Sequence, residues 1–126
     1  FYSAPIMYEG ITFLNNEAAF QSQKCVKEKD REKFCNLNPS EAKKLGRRVV
    51  LRQDWEKEKT RIMYEICYAK FTQNPDLKEL LLNTGNEELI EGNNWGDMIW
   101  GCVDGIGENR LGKILMKVRK ELRNNV

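Results

Sequence analysis

Glu17, Gln21 and Lys24 are the residues whose types and spacing most directly suggest chemistry. In a helix opening at Glu17, at about 100° per residue, they fall within roughly 60° of one another. A carboxylate, an amide and an ammonium then share one face, with Phe20 beside them as an apolar anchor. So placed, a carboxylate can stabilise developing positive charge. The lysine can neutralise that carboxylate or, once deprotonated, act as a nucleophile. The chain has no histidine, so acid–base work falls to carboxylates, lysines, tyrosines or cysteines. Glu and Lys at helical spacing are more often a solvated face than a site.

A second candidate lies between Gly92 and Asn109, where glycines at 92, 96, 101, 105 and 107 preclude a regular element. Loops of this length in a small domain are usually functional. This one carries Trp95, Asp97, Trp100, Asp104 and Asn109, and it runs into a helix N-terminus whose N–H groups suit a phosphate. Gly105-Ile-Gly107 follows no clear strand and lacks the dinucleotide-binding spacing. Trp95 reads as a core residue. Trp100, between glycines and near Asp97, reads at least as well as a stacking platform for a base or sugar. Lys59 shares the apolar stripe of Trp55, where a cation either snorkels or meets an anion. Arg47 belongs to a cluster with Lys43, Lys44 and Arg48 that is either a phosphate patch or solvated helix. Together these features suggest a small concave site for a nucleotide-like or sugar-phosphate ligand.

The elements that must position these groups are mostly helices. Ile6–Tyr8 and Ile11–Phe13 around Glu9-Gly10 predict a short hairpin, and Asn15-Asn16 a cap for the helix at Glu17. Short helices are expected near Asp30–Cys35 and over Pro39–Leu45, the latter closed by Gly46. Val49–Leu51 is a connector or strand. The longest helix runs from Asp54 to about Phe71, with Trp55, Ile62, Met63, Ile66 and Ala69 inward and Lys70 at the border. Asn74 and Pro75 predict a capped helix over Asp76–Asn83, with Leu80–Leu82 as its core run and Gly85 ending it. Leu89–Glu91 is a possible strand. The last helix, Leu111 to about Arg123, has Leu111, Ile114, Leu115, Val118 and Leu122 as its core stripe and Lys113, Lys117, Arg119, Lys120 and Arg123 on its wet side. The expected class is α+β, a mainly α-helical single domain with a small β-sheet or hairpin, spanning 1–126.

The 126 residues, 40% hydrophobic and 32% charged, suit one folded domain, and no apolar run reaches membrane-spanning length. A net charge of +2 argues against extended duplex binding. Cys25, Cys35, Cys67 and Cys102 form no C-x-x-C pair, so no zinc site is expected. Cys25 and Cys67 read as buried helix residues. With no signal-peptide pattern, the cysteines are expected reduced and the protein cytoplasmic. No spacing demands a cofactor or metal. The start at Phe1 without a methionine predicts a processed chain lacking a short upstream segment.

The run Glu17-Ala-Ala-Phe20-Gln21-Ser-Gln-Lys24 resembles the Glu-x-x-Phe-Gln-x-x-Lys signature of the NADAR family. The resemblance continues in register through Pro39–Arg47, Trp55-x-x-x-Lys59-x-x-Ile62-Met63, Ala69–Pro75, Leu81–Gly85, Leu89–Glu91, Asp97–Gly101 and Gly107–Met116. Two departures stand out. Only Phe1 remains of a Ser-Asn-Phe segment, and Ala18 occupies a position where His or Tyr is usual.

The resemblance implies an N-glycosidase that cleaves a ribose C1′–N bond. Its substrate would be a phosphoribosylated or ADP-ribosylated base or amine, such as an early riboflavin-pathway intermediate. It casts Glu17 and Asp97 as the carboxylates, with Lys24 as charge partner or amine nucleophile. Trp55 and Trp100 would wall the base and sugar, while Gln21, Arg47, Lys59 and Asn109 hold the substrate. Two alternatives are an ADP-ribosyl hydrolase acting on modified guanine in nucleic acid and a non-catalytic module binding ADP-ribose or NAD. No membrane partner is implied, and oligomeric state is left open.

Overall fold

A computed structural model describes residues 4–90, 100 and 106–124. The chain divides into two compact units, Phe1–Leu77 and Lys78–Val126. Strands β1 (Ile6–Tyr8) and β2 (Ile11–Phe13) are followed by helices α1 (Asn16–Ser22), α2 (Glu28–Glu32), α3 (Pro39–Gly46), α4 (Trp55–Gln73), α5 (Pro75–Leu82) and α6 (Arg110–Asn124).

The hairpin is antiparallel, pairing Ile6 with Phe13, Met7 with Thr12 and Tyr8 with Ile11. Glu9 and Gly10 take φ of 52° and 79°, the left-handed pair that a two-residue turn between twisted strands requires. Ile6, Ile11 and Phe13 are buried while Met7 and Thr12 face out, as the two-residue period of a strand dictates. Helix α4 holds the outer edge. The Gln73 amide accepts from Met7 N–H at 2.7 Å and donates to its carbonyl at 2.8 Å, and the Tyr8 hydroxyl donates to Glu65 at 2.7 Å. Burial and the Glu65 carboxylate push the Tyr8 phenol far above its ordinary range. Phe13, Phe34, Ile62, Ile66 and Phe71 form the dry centre of this unit.

Several local expectations change. Helix α2 begins earlier than expected and ends at Glu32. Gly46 is the last residue of α3 rather than a left-handed stop, with Arg47 as the C-cap. Val49–Leu51 is loop, and Leu89-Ile90 is not strand, Glu91 lying outside the described residues. Asn74 terminates α4 instead of capping α5, because its amide donates to the Lys70 and Pro5 carbonyls. In α5 the buried residues are Leu77 and Leu81, whereas Leu80 is exposed, since positions four apart share a face. Cys25 is buried in the loop after α1 rather than in a helix. Lys70 is not at a border but buried, its ammonium donating to Asn16 Oδ1 at 3.3 Å.

In the second unit α6 buries Ile114, Leu115, Val118 and Leu122. Arg119 leaves the expected wet face and is buried, donating to Thr84 Oγ1 at 2.7 Å and the Glu87 carbonyl at 2.8 Å. Arg123 adds bonds to Asn86 and to the Gly85 carbonyl. These guanidinium forks meet the polar atoms of the 84–87 turn, where Gly85 has φ of 64°. Among the described residues no helix is long and apolar enough to cross a membrane.

Candidate active site

The site forms where α1, α3 and the start of α4 come together. Asn15 starts α1: its Oδ1 accepts from Ala18 N–H at 2.8 Å, and its Nδ2 donates to the Leu37 carbonyl at 3.0 Å. Glu17 therefore sits in the first turn, where the helix dipole favours a carboxylate. Ala18, Ala19 and Phe20 are buried behind it. The Glu17 side chain keeps 21% of its surface, and its Oε1 lies 3.9 Å from Lys43 Nζ. It also accepts from Gln21 Nε2 at 3.3 Å.

Lys24 lies beyond the end of α1. The chain leaves the helix through a tighter turn in which Gln23, Lys24 and Cys25 N–H groups reach back three residues, to Phe20, Gln21 and Ser22. The expected continuous helical face stops at Ser22, yet Lys24 still feels the Glu17 charge. Its ammonium lies 5.9 Å from the centre of the Trp55 ring, and that ring packs at 5.0 Å, tilted, against Phe20. Trp55 is buried, so it forms the floor under Lys24 rather than an open platform. Burial pushes the Lys24 amine below its usual range; Glu17 opposes this, while Arg47 and Lys59 add to it. Arg47 is exposed at the end of α3. The Lys59 side chain is largely covered and reaches Glu56 on its own helix at 2.7 Å.

Glu17, Gln21, Lys24, Arg47, Trp55 and Lys59 all belong to the first unit. Trp100 and Asn109 belong to the second. The half-buried Trp100 uses its carbonyl to accept from Leu111 N–H at 2.9 Å. Asn109 is buried with φ of 49°, its Nδ2 donating to the Leu89 carbonyl at 2.9 Å. Asp97 and most of the glycine-rich segment lie outside the described residues.

Two contributors escaped the sequence reading of the site. Lys43 was legible as part of the possible phosphate patch, and it stands four residues before Arg47 on α3 and so shares its face. Arg52 was not: its N–H donates to the Lys24 carbonyl at 2.9 Å, and its guanidinium grips Asp54 at 2.6 Å, tying the lysine turn to the start of α4. Gly46, expected only to end a helix, lies against the Gln21 amide.

This arrangement sets Glu17 beside Lys24 and Lys43, with Arg47 and the Glu56-paired Lys59 near Lys24, so cations outnumber carboxylates. Comparison with known proteins gives the site a family. The NADAR domain profile matches residues 2–123. The chain belongs to the NADAR family. An N-glycosidase of Nostoc punctiforme, Npun_R5314, is 44% identical over 86% of this chain and 73% of its own length. The N-glycosidase YbiA of Escherichia coli K12 is 38% identical over 97% of this chain and 78% of its own. The NMR structure of E. coli YbiA matches this NADAR fold with a TM-score of 0.86 at 37% identity, covering 98% of this chain and 75% of that one. The mainly helical α+β class is thus shared with a solved relative. The riboflavin biosynthesis protein VVA0006 of Vibrio vulnificus is 36% identical over 99% of this chain, which spans 35% of that protein.

Proposed function

We propose that this NADAR protein hydrolyses the C1′–N bond of a phosphoribosylated amine or base of the kind formed early in riboflavin synthesis. It is an enzyme of the hydrolase class that acts on N-glycosyl bonds, in keeping with relatives named N-glycosidase. The observation that carries the substrate class is Glu17 standing beside Lys24 and Lys43, with Arg47 and Lys59 close enough to Lys24 for their charges to act on it. Departure of the base builds positive charge at C1′; a fixed carboxylate stabilises that charge or takes a proton from the water that attacks C1′. The surrounding cations are suited to a phosphate. Their mutual repulsion, felt at Lys24, is relieved when an anion binds.

Glu17 is the principal carboxylate in this reading, with Asp97 sharing the acid–base duties. Lys24 either balances Glu17 or, as a neutral amine, attacks the opened sugar. Burial favours the neutral form and so supports the second role. Trp55 braces Lys24. The family match across residues 2–123 supports residues 1–126 acting as one NADAR-type domain. The free thiols of Cys25 and Cys35 suit a cytoplasmic setting.

The deciding experiment incubates the protein separately with a phosphoribosylamino-pyrimidine and with an ADP-ribosylated guanine oligonucleotide, and follows ribose 5-phosphate, ADP-ribose and free base by mass spectrometry. Release of ribose 5-phosphate from the pyrimidine is expected, and Glu17→Gln is expected to abolish it with the fold intact. Release of ADP-ribose from the oligonucleotide alone would move the substrate to modified nucleic acid. ADP-ribose binding, seen as thermal stabilisation, without turnover of either substrate would make the protein a binding module.

A further inference from the structure

Gln21 is a buried amide with one edge satisfied. Its Nε2 donates to Glu17, while its Oε1, fully covered, is the one buried side-chain polar atom without a hydrogen-bond partner among the described residues. An orphaned buried carbonyl is unfavourable and calls for a physical cause. The cause lies across the interface with α3. A Cβ built on Gly46 would run into Gln21 Oε1 and stand 3.0 Å from its Cδ. The amide rests in the space that the missing side chain leaves.

The backbone does not explain the glycine. Gly46 lies in the last turn of α3, and the positive-φ glycines among the described residues are Gly10, Gly85 and Gly107. Glycine in a helix is less favourable than alanine. Gly46 therefore serves the Gln21 amide and not the helix.

We propose that Gly46 is a positioning residue for the Glu17 carboxylate, acting through Gln21. With glycine at 46 the amide lies flat against α3 and presents its N–H edge to Glu17. A methyl group there meets the far end of a flexible side chain, so Gln21 swings away and the helices stay in place. Glu17 then loses a donor that fixes it beside Lys43. The inference rests on Glu17 being the carboxylate that works on the substrate.

The test uses the full chain and the phosphoribosylamino-pyrimidine. Gly46→Ala is expected to keep or raise Tm, leave KM within about threefold, and lower kcat on the order of 10²-fold, as for a reacting group displaced by about 1 Å. Gln21→Ala is expected to lower kcat to a similar degree. The double variant Gly46→Ala/Gln21→Ala should turn over no more slowly than Gln21→Ala, because the new methyl enters space the amide has vacated. A further loss in the double variant, or wild-type kcat in Gly46→Ala, would overturn the proposal. The Gln21 side-chain NH₂ signals in a ¹H–¹⁵N spectrum decide independently of substrate. They should move toward free-glutamine positions in Gly46→Ala while the backbone pattern holds, and unmoved signals would refute the relay. Full activity in Glu17→Gln, by contrast, would sink the functional reading itself.

Discussion

Two places in this molecule fit an amide against a glycine, and they use the fit differently. In the first unit the Gln21 amide lies on Gly46; in the second, the Asn109 amide lies on Gly112. Asn109 donates to the Leu89 carbonyl, so its glycine lets a side chain tie backbone to the start of α6. Gln21 donates to a carboxylate and leaves its own oxygen unpartnered. A bond to a backbone carbonyl holds the fold, whereas a bond to the carboxylate proposed to work on the substrate, kept at the expense of a buried orphan, would serve the reaction. Where the packing tolerates an unfavourable atom is where function is to be sought.

The largest expected effect separates the glycines by stability. Gly112→Ala drives a methyl into the Leu89 carbonyl as well as the Asn109 amide, and backbone cannot step aside. Overpacking plus the loss of one hydrogen bond costs about 3 kcal/mol, to be read from urea denaturation. Gly46→Ala should cost nothing on the same measurement. If both variants unfold alike, the contrast between the two sites fails.

Asn109→Ala comes next. It removes the bond to Leu89 and places alanine at a left-handed φ of 49°, together about 2 kcal/mol. The KM for the phosphoribosylamino-pyrimidine should hold. A raised KM at unchanged stability would instead make Asn109 a substrate contact. Gln21→Ala sharpens the comparison from the other side. Its lost bond is offset by removal of the orphaned oxygen and by alanine's helix preference, so stability should stay within about 0.5 kcal/mol while kcat falls.

These differences mark what sequence could and could not reveal. The hairpin was legible residue by residue, because Glu9-Gly10 between alternating apolar residues leaves little else to form. The capping asparagine at 15 and the periodicity of α6 were equally plain. Glu17, Gln21, Lys24 and Trp55 could be singled out because local spacing and the family signature mark them. What stayed hidden depends on contacts distant in sequence. The pairing of Gly46 with Gln21, the grip of Arg52 on the Lys24 turn and the burial of Arg119 have no periodic signature. Asn74 shows the same limit locally: asparagine before proline suggests a cap, yet donors and acceptors on one amide allow it to close the preceding helix instead.

The smallest effect concerns Lys24. Burial holds its amine below the ordinary lysine value, with Arg47 and Lys59 adding repulsion and Glu17 pulling back. Between that lowered folded value and the usual one near 10.4, the unfolded chain binds more protons than the folded one, so stability rises with pH across the window. Lys24→Met removes this slope. The variant should therefore gain Tm relative to wild type at pH 7, and the gain should shrink by pH 10. The group is only partly buried and also gives up its contact with Trp55, which keeps the change to a degree or so at about the limit of surface electrostatics. The comparison with Lys43→Met, whose ammonium is more than half exposed, isolates burial as the cause. A Tm difference for Lys24→Met that does not vary with pH would show that the amine titrates alike in both states, and the case for Lys24 as a neutral nucleophile would lose its physical footing.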